Sequence, residues 1–138
     1  MVLFLYVNII YVVLSFSGGD TMIKYKQFEK EAFYNTLNRN LEKKIITKDQ
    51  YNAYMKQHDL SETKFTNNGV GFYFDYNDMN INEYSRIILS GHNYTSKSHP
   101  DIMVEIILFV INETISCMEG QGYGNYIDPI FFEDYIIL

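Results

Sequence analysis

Apolar positions change their spacing along the chain, and each change marks an element. From Met22 to Lys64 the residues Phe28, Ala32, Phe33, Leu37, Leu41 and Ile45 recur every three or four positions. They form the single stripe of a helix that buries one face. Lys26, Lys30, Glu31, Asn38, Glu42 and Lys43 occupy the opposite side. Thr47 with Gln50 three residues on has the form of a capping box, which satisfies orphaned N–H groups at a helix start. Tyr51, Tyr54, Met55 and His58 then follow at helical spacing. The pattern predicts an N-terminal helical hairpin, about 25–44 and 48–58, with a tight joint at Ile45–Thr47.

The period then drops to two. Val70, Phe72, Phe74 and Tyr76 alternate with Gly71, Tyr73 and Asp75, as in a half-buried strand. Asn77 to Asn80 supplies turn chemistry, and Tyr84 to Ser90 reads as a second strand. Together they predict an antiparallel hairpin over about 70–90. Ser98-His99-Pro100-Asp101 has the residues of a helix start. Ile102 to Ile111 is apolar except for Glu105. The expectation is a central buried helix over about 100–118 ending at Gly120, although its many β-branched residues also suit a strand. Gln121 to Asn125 reads as a loop. The apolar end, Tyr126 to Leu138, either adds a strand or packs on another subunit. The expected fold class is α+β: a helical hairpin and a small antiparallel sheet (the 70–90 hairpin plus a C-terminal strand) packed on that helix.

The first residues stand apart. Met1 to Leu14 is apolar except for Asn8 and uncharged, yet shorter than the roughly 20 residues a membrane span needs. It also lacks the basic start and small-residue cleavage pattern of a secretory signal. Ser17 to Met22 can be encoded by a string that contains a ribosome-binding site ahead of an ATG. The reading is therefore that residues 1–21 are upstream translation or a weak apolar leader, that 22–138 form a single domain, and that the protein is cytoplasmic.

Composition narrows the function more than it defines it. The chain has 138 residues, enough for one domain. Its 17 Ile, 13 Asn and 13 Tyr against two Ala and two Arg point to an AT-rich genome. One Cys excludes a disulfide framework and a cysteine-based zinc site. The net charge of −6 argues against direct binding of nucleic acid. Charge is also uneven: Met22 to Lys64 carries nine bases and six acids, whereas Phe65 to Leu138 carries two bases and ten acids.

Candidate chemistry is thin. His58 sits on the apolar stripe and reads as a satisfied, half-buried residue. His92 and His99 near Asp101 match no metal-ligand spacing. Cys117 ends an apolar run and reads as core. Asp75 and Asn77 begin like a calcium loop, but Met79, Asn80 and Arg86 stand where that loop needs an oxygen ligand, a glycine and a glutamate. The glycine clusters 69–71 and 120–124 lack the lysine and the strand-to-helix context of phosphate-binding loops. No catalytic residue, metal or cofactor is expected, and the protein is read as not an enzyme.

What remains is surface. Asp75, Asp78 and Glu83 surround the expected turn, Glu133 and Asp134 lie near the end, and Tyr73, Tyr76, Tyr84 and Tyr126 are interleaved with them. Tyrosine supplies contact area at low entropy cost while acids steer toward basic partners, so these residues form the candidate protein-binding surface. The expected function is a small acidic inhibitor from a phage or mobile element. It would block a basic nucleic-acid-binding partner, a nuclease or defence effector, by occupying its basic surface, as anti-CRISPR, anti-restriction or nuclease-immunity proteins do. No membrane association is expected. The alternative is a homo-oligomer, assembled through the apolar C-terminus, that binds a small ligand such as a nucleotide signal.

Overall fold

Among the described residues six strands make one antiparallel sheet, and helices cover one of its faces. The structure is a computed structural model that describes residues 16–77, 86–123 and 131–138, with side chains of the first helix from Lys24 onward. In chain order the elements are α1 (Phe16–Glu42), α2 (Lys48–Leu60), β1 (Lys64–Asn67), β2 (Gly71–Asp75), β3 (Arg86–Ser96), β4 (Met103–Ile111), β5 (Thr114–Tyr123), α3 (Phe131–Asp134) and β6 (Tyr135–Ile137). The sheet order is β1-β2-β5-β4-β3-β6. The mixed α+β class expected from the sequence is the class observed.

The stripe on α1 does what its spacing implies from Phe28 to Leu37; Leu41 is partly buried against the same cluster, whereas Ile45, expected on the stripe, lies beyond α1 and is 58 % exposed. Tyr25, Phe28, Ala32, Phe33 and Leu37 are buried in one cluster with Phe72, Phe74, Leu89, Tyr94, Val104, Ile106, Leu108 and Met118 from the sheet. Phe28 is fully buried, and Phe72, Tyr94, Phe131, Phe132 and Tyr135 surround its ring at centroid distances of 4.8–5.8 Å. Mostly edge-to-face pairs of this kind add to the gain from burying the rings themselves. Buried Asn40 ties α1 to the sheet, its amide donating to Thr36 O at 2.7 Å and Ser90 O at 3.1 Å. Gly91 permits that approach, because a Cβ there would stand 2.5 Å from Thr36 Oγ1.

Helix α1 ends in a Schellman turn. Ile45 N–H donates to Asn40 O and Lys44 N–H to Leu41 O, with Lys44 left-handed at φ 60° in the place glycine usually takes. The next helix starts as the sequence pattern indicates: Thr47 Oγ1 accepts from Gln50 N–H at 3.1 Å, and Gln50 Oε1 accepts from Thr47 N–H at 2.8 Å.

Two expectations are corrected by the sheet. Residues 100–118 do not form a helix: β4 and β5 occupy this stretch, joined by Asn112 and Glu113 at φ 50° and 64°. Two consecutive left-handed residues make the tight turn whose twist suits a two-residue hairpin. Nor do the strands of 70–90 pair with each other. β2 lies between β1 and β5, and β3 lies between β4 and β6. Phe72 packs its ring over Gly120 of β5, where an added Cβ would lie 2.1 Å from the ring. The Ser98–Asp101 segment is the turn from β3 to β4, and the expected loop at 121–125 begins inside β5. The apolar C-terminus does add a strand, β6, on the outer side of β3.

Candidate functional site

The alternation that buries half of each strand leaves the other half on a face that, among the described residues, receives no apolar side chain from the helices. The buried apolar residues of α1, α2 and α3 all belong to the cluster on the opposite side. Register places the residues of this helix-free face in rows across the sheet. One row is Asp75, Cys117, Phe109 and Ile88; the next is Tyr73, Glu119, Ile107 and Ser90; the next brings Gln121, Glu105 and Asn93 together. Tyr123, Met103 and Thr95 follow.

Three carboxylates therefore project from neighbouring rows, each beside an aromatic or aliphatic neighbour. Tyr73 donates its hydroxyl to Glu119 Oε2 at 3.2 Å, and Tyr123 donates to Glu105 Oε1. Burial and the Glu119 carboxylate push the Tyr73 hydroxyl above its ordinary pKa, and the bond to Glu105 does the same for Tyr123. Both phenols are thereby held as neutral donors toward the carboxylates. Ile88 is 49 % exposed and Tyr123 41 % exposed, while Tyr73, Asp75, Met103, Glu105, Ile107 and Glu119 are half-buried. Arg86 stands at one end with its guanidinium 5.8 Å from the Phe109 ring.

Of the residues expected on a binding surface, Tyr73 and Asp75 lie on this face. Tyr76 does not: it is 6 % exposed and points into the core, donating its hydroxyl to Glu29 Oε2 at 2.6 Å. Glu133 is exposed on α3 and belongs to none of these rows. Asp134 anchors the chain end, Oδ1 accepting from Ser96 Oγ at 2.5 Å and Oδ2 from Ser98 N–H at 2.9 Å. These bonds hold its carboxyl below the usual aspartate pKa. Asp78, Glu83, Tyr84 and Tyr126 lie outside the described residues. Sequence reasoning missed Glu105 and Glu119 as partners of Tyr73 and Asp75, because it placed them on the expected helix and at its end. A strand signal was present in the alternation of Met103, Glu105 and Ile107 with Val104, Ile106 and Leu108, but which strands lie side by side was not.

The remaining chemistry-bearing residues are placed plainly. Buried Glu29 accepts on the same oxygen, Oε2, from His58 Nε2 at 2.7 Å and from the Tyr76 hydroxyl, and His58 stacks on Phe33 at 4.2 Å. A carboxylate can only accept, so Nε2 carries the imidazole proton in this arrangement. Arg39 and His92 approach to 3.4 Å, and burial followed by the Arg39 charge lowers the pKa of His92. Cys117 is buried, and desolvation with Asp75 and Glu119 nearby pushes its thiol up to about 12. Among the described residues no group of three His, Cys, Asp or Glu is placed to hold a metal ion, and no helix is long and apolar enough to cross a membrane. Compared with known proteins, the chain matches no family model, no curated protein and no solved structure.

Proposed function

We propose that the protein is a binding protein that engages the basic surface of a nucleic-acid-handling partner through its helix-free sheet face and blocks that surface sterically. The observation that carries the reading is the set of Asp75, Glu105 and Glu119 on neighbouring rows, interleaved with Tyr73, Tyr123, Ile88 and Ile107. Exposed aliphatic and tyrosine surface supplies contact area, and the carboxylates steer and select a cationic partner. Charge also argues against two copies meeting face to face, since each would bring three carboxylates toward three others. Such a protein works in the cytoplasm, where a nuclease or defence effector of a phage-infected cell is found, and needs no chemistry of its own.

The test is capture from lysate of an AT-rich bacterial host at low salt, comparing the natural protein with a triple variant, D75N/E105Q/E119Q. A basic nucleic-acid-handling protein held by the natural chain, released by salt and absent from the variant supports the reading. Equal retention by both refutes it. A second reading, self-association, is favoured by one observation: Ile136, Ile137 and Leu138 are 37 %, 47 % and 65 % exposed along the edge strand β6. Edge strands bearing apolar residues are ready templates for pairing with another chain. A dimer that persists at high salt and disappears in I137K would favour it.

A further inference from the structure

We propose that the cleft bounded by α1, the end of α2 and β1 binds a small zwitterion with an apolar side group, of the kind an aromatic amino acid presents. The cleft has a volume of about 360 Å³, within the range of small-ligand sites. One wall is aromatic: Tyr25 stacks on Phe65 at 4.1 Å, and Phe65 meets Phe74 at 5.1 Å. The rest of the lining carries charges of both signs, Lys26 and Lys30 against Glu29 and Asp59.

Those formal charges cancel, so an ion of one sign gains little net attraction there. A ligand with an ammonium and a carboxylate finds a counter-charge for each, while the aromatic wall covers its side group. The placement of Glu29 supports this choice. It is 4 % exposed, and both of its hydrogen bonds, from Tyr76 and His58, land on Oε2. Oε1 retains its capacity to accept, at the wall of a cavity and beside an oriented imidazole. Removing a carboxylate from water is costly, and a purely structural core would be served as well by apolar residues of similar volume. His58 and Tyr76 occupy one oxygen of Glu29, and the other is the acceptor an ammonium group entering the cavity would meet. The site uses the helical side of the sheet and is independent of the acidic face described above.

The probe is L-phenylalanine, titrated into the full chain and followed through the ring signals of His58 and Phe65 by NMR. Two analogues each remove one charge: 2-phenylethylamine lacks the carboxylate and 3-phenylpropanoate lacks the ammonium. Saturable shifts with phenylalanine are expected, with each analogue about 10-fold weaker or more, the cost of losing one charge-assisted contact. D59N and K30M change exposed residues and leave the fold intact; each is expected to weaken phenylalanine binding about 10-fold on the same grounds. Absence of any shift at millimolar phenylalanine overturns the proposal. So does equal binding of the three compounds, or binding unchanged in both variants.

Discussion

Replacing Glu29 with leucine isolates the most concentrated polar interaction in the core. The carboxylate is 4 % exposed and serves two donors, the Tyr76 hydroxyl at 2.6 Å and His58 Nε2 at 2.7 Å. These three residues come from α1, α2 and the position after β2, so one side chain holds three parts of the fold together. In E29L both donors lose their acceptor, Tyr76 at 6 % exposure and His58 half-buried. Each stranded donor costs about 1–3 kcal/mol, so the variant should lose about 2–6 kcal/mol. A typical domain holds only about 5–15 kcal/mol in total. For a chain of this length the change corresponds to a fall in Tm of about 7–20 °C. Y76F removes one donor and leaves the other bond intact, so it should cost about 1 kcal/mol. The triple variant E29L/H58L/Y76F removes the donors with the acceptor and should recover much of the loss, because an apolar set of similar volume carries no desolvation cost. Urea unfolding followed by circular dichroism measures all three. An E29L midpoint indistinguishable from that of the natural protein would refute the reasoning, as would a triple variant weaker than E29L.

Three further outcomes follow from local geometry. Cys117, buried with its thiol pushed up to about 12, should resist aromatic disulfide reagents in the folded protein near neutral pH and react at once in denaturant; rapid labelling of the folded chain would contradict this. Asp134, held below its ordinary pKa of 3.8 chiefly by Ser96 and then by Ser98, contributes stability that is present above that value and lost as pH falls through the lower native pKa. D134N should therefore flatten the acid limb of a stability-against-pH curve, and an unchanged limb would count against the anchoring role. Glu113 is left-handed at φ 64° in the β4–β5 turn. E113G supplies the residue that conformation favours and should raise stability by about 0.5–1 kcal/mol, read as a higher urea midpoint; a lower midpoint would contradict the turn.

Different parts of this fold were legible to different degrees. The stripe from Phe28 to Leu37 announced a helix because only one face of α1 is buried, and the box at Thr47 and Gln50 announced the next one because its two hydrogen bonds are local. The stretch 102–118 misled for a physical reason. Phe109, Val110 and Ile111 are all buried, so the strand loses its alternation there and reads as apolar all round. The turn that divides it uses Asn-Glu, without the glycine that marks such turns most clearly. Ser98, Pro100 and Asp101 imitate a helix start while making a β-turn. Pairing was hidden as well, since alternation tells which face a residue joins but not which strand lies beside it. On the candidate site, the period of two that sets Tyr73 and Asp75 outward sets Tyr76 inward with Phe72 and Phe74. That assignment was available from the sequence. The company of Glu105 and Glu119 was not, because it depends on β2 lying against β5 and β5 against β4.

The most direct measurement of the proposed function is a methyl-labelled NMR spectrum of the protein bound to the partner it captures. Met103, Ile88 and Ile107 report on the helix-free face, while Leu41 and Met55 report on the helical side. The account predicts that partner binding shifts or broadens the first three signals, leaves the last two unchanged, and is reversed by salt. Changes confined to Leu41 and Met55, or to the β6 residues Ile136 and Ile137, would contradict it.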